Sequence, residues 1–354
     1  MLPYLSAQPP AFVFLTHLRD DDDLHRIGAS SFLRRYSDGD DDFRRKMCSL
    51  PPLVAGEISF GFGPVRGEVV VVMRKPDELL APSGWRSVIE GLEVALARGA
   101  RVIGLGALIA PATAGGARLL RHLPDGVTLT NTNAYTAVLV QANVHEAAAA
   151  LGLGLRAQVA VIGCTGSVGV PASRLLAEDG FPLVLVGRTE ERVRRHLGDL
   201  EGRARVAAGL DSALGSDVVV LLTSDLSARL TPEHVSPGSI VIDFAQPANV
   251  VPAAVAEFER RGVTVVEGGI VRVPDYWCSV DLGLADPADT TACVAEAYLF
   301  AREGIQAHSV GRPTPELARR LERAALRHGV RPQPLRSVAG GGDGRVPRVG
   351  VLNL

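Results

Sequence analysis

Residues 158–188 read QVAVIGCTGSVGVPASRLLAEDGFPLVLVGR, and this stretch decides the fold. The apolar run Val159, Ala160, Val161 and Ile162 has the composition of a short buried strand. It leads directly into Gly163, Gly166 and Gly169, which open an amphipathic helix reaching about Glu178. A second apolar strand follows. Strand, glycine turn, helix, strand is the context a dinucleotide-binding fingerprint requires, because glycine permits a tight turn and close approach of backbone to ligand. A pyrophosphate then sits on the helix N-terminus, where unpaired N–H groups and the helix dipole favour an anion. The spacing is GxxGxxG, with Thr165, Ser167 and Val168 between and beside the glycines, and we expect all of them to cradle the cofactor.

The end of the second strand selects the cofactor. A carboxylate about 20 residues past the glycines holds an adenosine 2′-hydroxyl, whereas a basic residue accommodates a 2′-phosphate. Arg188 occupies this place, followed by Thr189. The planar donor fork of arginine suits phosphate, so the expected cofactor is NADPH rather than NADH. Glu190 then begins the next helix as a first-turn carboxylate.

Working outward, 354 residues exceed one ordinary core and fit two domains. A composition 47% hydrophobic and 21% charged is that of a globular chain. The net charge of −2 predicts neither nucleic-acid nor anionic-membrane binding. Cys48, Cys164, Cys278 and Cys293 lack paired metal spacing, which argues against a disulfide framework or a zinc site and for a reduced, cytoplasmic setting; no metal is expected. No window approaches 18 uninterrupted apolar residues and residues 1–10 lack a signal-peptide pattern, so no membrane span is expected. The acidic clusters at 20–23 and 38–42 read as a helix start and a solvated loop, and the basic run Arg34, Arg35, Arg44, Arg45 and Lys46 as solvated surface rather than a carrier-protein dock.

The first part of the chain also alternates. Residues 12–15, 68–73, 101–109 and 127–130 read as strands, and 24–35, 85–98 and 134–151 have helical period. An α/β substrate domain over 11–155 follows. In it, His17 ends the first strand, and the Thr130, Asn131, Thr132, Asn133 cluster stands where a strand gives way to a helix. His17, Asn131 and Thr132 are candidate substrate contacts. The cluster also fits an N-cap with its turn. Residues 156–285 form a Rossmann domain, with further strands at 183–186, 217–222, 239–244 and 263–267, enough for a doubly wound parallel sheet. Thr223 and Ser224 follow one of these strands and Gly268 and Gly269 another, at the ends that line the ligand crevice. Helices at 286–304 and 313–328 complete the active site within 286–335, and 336–354 is a glycine-containing flexible tail.

Cys293 is the candidate nucleophile. With Asp289 or Thr290 as N-cap it falls in the first turn of its helix, where the dipole favours thiolate. Glu296, three residues on, shares its face and is the candidate for positioning or exchanging a proton. A cysteine among alanines also fits a small buried hydrophobe. Cys164 in the glycine loop and Cys278 beside Trp277 are rival nucleophiles.

At this point the chain resembles the long-chain acyl-acyl-carrier-protein reductases of the cyanobacterial alkane pathway. The segments AFVFLTHL, VIGLGALIAP, TNTNAYTA, VAVIGCTGSVG, IVIDFAQP, VVEGGIV and ACVAEAYL follow the family's order over roughly 11–335. The resemblance implies that Cys293, in its Ala-Cys-x-Ala-Glu context, accepts an acyl group from acyl carrier protein or acyl-CoA, and that NADPH reduces the acyl-enzyme to a fatty aldehyde. It also implies an aldehyde-consuming enzyme as a further partner. The stretch between Gly269 and Cys293 is a few residues shorter than in that family. Two other readings stay open: an NADPH-dependent alcohol or enol dehydrogenase of shikimate dehydrogenase-like plan without covalent catalysis, and a non-catalytic NADPH-sensing or carrier-binding protein.

Overall fold

A computed structural model describes residues 8–28, 30–61 and 65–338. The chain divides into two compact units. One comprises Met1–Tyr135, Val271–Gly311 and Arg320–Arg331, the other Thr136–Ile270, Arg312–Arg319 and Pro332–Leu354. The expected boundaries at 155/156 and 285/286 are thus corrected. The helix Asn133–Ala150 lies mostly with the second unit, and the segment carrying Cys293 belongs to the first.

In the first unit, β1 (Phe12–His17), β2 (Leu53–Phe60), β3 (Val65–Val72), β4 (Val102–Leu105) and β5 (Thr128–Thr130) join a two-residue strand, Trp277–Cys278, in one sheet. Its order is 277–278, β2, β3, β1, β4, β5. Neighbours from β3 to β5 run parallel, and β2 is antiparallel to β3. Valine at 69–72 and the Phe12 to Leu15 run are buried because helices cover the parallel part, so the strands read as continuous apolar runs. Three expectations need correction here. The strand expected over 101–109 ends at Leu105 and a short helix, Ile109–Ala112, follows. The helix expected over 24–35 is two, Asp22–Arg26 and Ser30–Arg35. The helix expected from Asp286 begins at Ala292, because Asp289–Thr291 is extended.

In the second unit, β6 (Val159–Ile162), β7 (Leu183–Gly187), β8 (Ala204–Ala208), β9 (Val218–Leu221), β10 (Ile240–Asp243) and β11 (Thr264–Glu267) form an all-parallel sheet of order β11, β10, β9, β6, β7, β8. This is the doubly wound dinucleotide-binding order, with its switch point between β6 and β9. Alternate residues Ala160, Ile162, Val184, Val186, Val219, Leu221 and Val241 share one core with Phe258. The intervening Val159, Val161, Leu185 and Val220 are equally buried, so both faces of the sheet are covered. The tail expected from 336 begins in this unit as paired backbone: Ser337 bridges Val266, and the Val338 N–H donates to Val265. Residues 339–354 lie outside the described residues. No helix among the described residues is long and apolar enough to cross a membrane.

Candidate cofactor cleft and cysteine site

The cleft of the second unit opens at the switch point, with a volume of about 560 Å³. Gly163, Thr165 and Gly166 line it from the glycine loop, Gly187, Arg188 and Arg192 from the end of β7 and the next helix, and Thr223, Ser224 and Asp225 from the end of β9. The glycines are there for space. Gly163 has φ +86°, and a Cβ on it would lie 2.8 Å from the Leu222 carbonyl carbon and 2.9 Å from the Thr223 nitrogen. A Cβ on Gly169 would stand 2.2 Å from the Gly163 oxygen, so this glycine lets the helix Gly169–Asp179 start against its own loop. Ser167 and Val168 precede that helix outside the cleft lining, Val168 as its N-cap.

Arg188 is exposed at the mouth. Thr189 caps the helix Glu190–Leu197, its Oγ1 accepting from the Arg192 N–H at 3.2 Å while its own hydroxyl hydrogen is left to donate. Arg192 is the residue the sequence reading missed. It lines the cleft from the first turn of the helix that follows Arg188, and its buried Nε has no hydrogen-bond partner. A second arginine just past the helix start was the available signal. Gly268 and Gly269 do not line the cleft: their N–H groups donate to the Asp243 carbonyl (2.9 Å) and to Asn143 Oδ1 (3.1 Å). A glycine loop and two arginines lining one cleft fit a phosphorylated dinucleotide.

In the first unit, Cys293 is the second residue of the helix Ala292–Arg302, half-buried, with Thr291 rather than Asp289 or Thr290 as N-cap. Thr291 Oγ1 accepts from the Val294 N–H at 3.5 Å. Glu296 is wholly buried. Its Oε1 accepts from Thr130 Oγ1 at 2.5 Å and its Oε2 from the Tyr135 N–H at 2.6 Å. Burial pushes its carboxyl up to about 7 despite those donors. Glu296 is thus an internal tie between two segments, one helical turn from Cys293.

The three candidate substrate contacts are internal as well. His17 is buried, its Nδ1 2.6 Å from the Leu18 carbonyl and its Nε2 accepting from the Leu108 N–H at 3.1 Å. Burial lowers its pKa to about 4, so the ring is neutral with both nitrogens engaged. Asn131 Nδ2 donates to the Gly115 and Gly311 carbonyls, at 3.2 and 2.9 Å. Thr132, at φ +59°, donates from Oγ1 to the Leu105 carbonyl at 2.6 Å. The strand-end polar cluster satisfies backbone carbonyls of neighbouring segments.

The rival thiols are poor nucleophiles: burial pushes Cys164 up to about 12 and raises Cys278. The basic run is neutralised locally. Arg34 pairs with Asp40, Arg44 with Asp21, and Arg45 and Lys46 with Asp42.

No protein-family model matches the chain. The aminotransferase PigE of Serratia sp. (strain ATCC 39006) is 27% identical over 294 residues, which are 78% of this chain and 33% of that protein. The chain thus spans about a third of the length of this curated relative. Among solved structures, 5-ketofructose reductase of Gluconobacter sp. strain CHM43 is 12% identical, with 90% of this chain and 99% of that one covered, at a TM-score of 0.38. Quinate dehydrogenase from Corynebacterium glutamicum, solved with NAD, is 13% identical over the same shares at the same TM-score, 0.38.

Proposed function

We propose that this chain is an oxidoreductase dependent on a nicotinamide dinucleotide, with NADPH preferred. The observation that supports it is the cleft at the switch point of the parallel sheet, floored by Gly163 and flanked by Arg188 and Arg192. The glycine loop would hold the pyrophosphate and the two arginines a 2′-phosphate. When bound, the cofactor supplies a hydride.

For the substrate we propose an acyl thioester. Cys293 in the first turn of its helix is placed where the dipole favours thiolate. Its sulfur attacks the thioester carbonyl carbon, and the donor's carbon–sulfur bond breaks with release of the donor thiol, leaving the acyl group on Cys293. Hydride addition to the acyl carbon and cleavage of its bond to Cys293 then release an aldehyde and restore the thiolate. Acyl carrier protein or coenzyme A is the proposed acyl donor, and an enzyme consuming the aldehyde the proposed further partner.

A second reading, an alcohol or enol dehydrogenase on the same cleft, gains from one observation. Glu296 is tied to Thr130 and Tyr135 inside the fold, a purely architectural arrangement that a dehydrogenase without covalent chemistry would also need. Intact-protein mass spectrometry separates the two. On the thioester reading, a long-chain acyl thioester adds one acyl mass to wild type without NADPH, NADPH discharges it, and Cys293→Ala acquires none. No adduct with carrier and coenzyme A donors of varied length, alongside dinucleotide-dependent oxidation of an alcohol by Cys293→Ala, would leave only the dehydrogenase.

A further inference from the structure

We infer that Arg312 is a specificity-determining residue that completes a phosphomonoester site at the rim of this cleft; the inference rests on the dinucleotide reading above. Arg312 reaches the second unit's glycine loop from a segment remote in sequence. Its Nε and Nη2 donate to the Thr165 carbonyl at 3.3 and 3.2 Å, and Nη2 also lies 3.1 Å from His196 Nε2. Those bonds leave Nη1 to donate elsewhere.

Thr165 is the loop residue that abuts the ribose-recognition turn. A Cβ on Gly187 would lie 3.5 Å from Thr165 Cγ2 and 3.6 Å from the Thr189 carbonyl oxygen. Thr165 thus links Arg312, on its carbonyl, to the turn that carries Arg188, on its side chain. Arg192 and His196 are one turn apart on the helix Glu190–Leu197 and present their basic groups to one face. Arg192 is close enough to disfavour the charge on Arg312, and both arginines, after burial, disfavour a proton on His196.

The carboxylates near this face are engaged elsewhere. Glu190 pairs with Arg194, Glu191 with Arg195 and Asp199 with Arg174, at 2.8, 2.8 and 3.0 Å. Among the described residues no carboxylate forms an ion pair with Arg188, Arg192 or Arg312, although Asp225 across the cleft senses Arg188. Three guanidinium groups against one carboxylate leave an excess of two positive charges. A phosphate monoester carries about −1.5 to −2 at neutral pH and offers three acceptor oxygens, which matches that excess. A 2′-hydroxyl does not.

Two nucleotides carry such a group beside an adenosine diphosphate: NADPH at the ribose 2′ position and coenzyme A at the 3′ position. The experiment titrates full-length wild type and Arg312→Gln with NADPH, NADH, 2′,5′-ADP and 3′,5′-ADP by calorimetry, and compares the melting temperatures of the two proteins. The expected result is a loss of about tenfold to a hundredfold for NADPH and 2′,5′-ADP in the variant, with a much smaller loss for NADH and a melting temperature lowered only by the bonds to the Thr165 carbonyl. An Arg312-dependent preference for 3′,5′-ADP would uphold the phosphomonoester site and identify it with coenzyme A. Equal losses for NADPH and NADH, or no change, would overturn the inference and leave Arg312 as a loop clamp. Wild type that binds neither dinucleotide, yet binds 2′,5′-ADP through Arg312, would uphold the site and remove the cofactor reading. Wild type that binds none of the four overturns both.

Discussion

Glu296 and Thr130 meet inside the first unit through a hydrogen bond of 2.5 Å, donated by the threonine hydroxyl to a carboxylate with no exposure to solvent. The second carboxylate oxygen takes the Tyr135 N–H, near the start of the helix Asn133–Ala150. One side chain thus fastens the cysteine helix to the strand end and to the backbone at Tyr135.

This pair has a pH signature. The folded carboxyl titrates near 7 against 4.5 for an ordinary glutamate, so between those values the folded chain holds a proton that the unfolded chain has lost. Stability contributed by this site falls as pH rises through that window and is level above it. Glu296→Gln is expected to fold and to flatten the dependence of melting temperature on pH from about 4.5 to about 7. Glu296→Ala is expected to melt lower at every pH, because each orphaned donor costs about 1–3 kcal/mol. A glutamine variant with the wild-type slope would refute the assignment.

His17 works in the opposite sense. Its folded pKa of about 4 lies below the ordinary 6.5, so the unfolded chain binds more protons between them, and stability is lost as pH falls through that window. Acid titration followed by circular dichroism is expected to show a shallower decline for His17→Ala between about pH 6.5 and 4. The same variant is expected to be less stable at neutral pH, by about 1–3 kcal/mol, because the Leu108 N–H loses its acceptor.

Gly163→Ala tests the cleft floor. A positive φ costs a residue with a Cβ about 1–2 kcal/mol, and the backbone at Leu222 and Thr223 stands too close for the added carbon. The expected outcome is loss of dinucleotide binding by at least tenfold with the parallel sheet retained, read by fluorescence titration and far-ultraviolet circular dichroism together. Retained affinity would show that the loop has room the structure denies it.

Arg192→Ala tests the cofactor choice. Removing a charge-assisted donor costs about 1.5–3 kcal/mol, so NADPH is expected to bind about tenfold to a hundredfold more weakly while NADH is little affected. Parallel titrations with both dinucleotides decide it. Equal effects on the two would place Arg192 outside the 2′-phosphate site.

The second unit was largely legible because its code is local. A run of four buried apolar residues followed by Gly163 fixes strand and turn within a few positions, and β6, β7, β9, β10 and β11 lie close to where the residues put them. β8 escaped because Ala204–Ala208 at the sheet edge is only partly buried and lacks an apolar run. β2 escaped because Gly56 and Glu57 interrupt it, Gly56 at a bulge opposite Val69. At the sites, glycine and Arg188 were readable because backbone space and a fixed charge are properties of one residue. The partners of Glu296, His17, Asn131 and Thr132 were not readable, because a polar side chain's partner, here Tyr135, Leu108, Gly311 or Leu105, is chosen by tertiary contact. Arg312 carried no local signal at all.

The division of the chain has a consequence for its synthesis. Residues 136–270 of the second unit are inserted within the first, whose own last segment ends at Arg331. The helix Ala292–Arg302 lies against β4 so tightly that a Cβ on Gly104 would stand 2.7 Å from that of Ala297. A growing polypeptide therefore releases β1 to β5 before this cover and holds them without it until residues 292–302 have been made. The nucleotide sheet, complete in its strands by Glu267, has the earlier opportunity to fold. Translation arrested between the two points would leave Leu105 and its neighbours open to chaperones, so of the two large sheets the one made earlier is the one closed later.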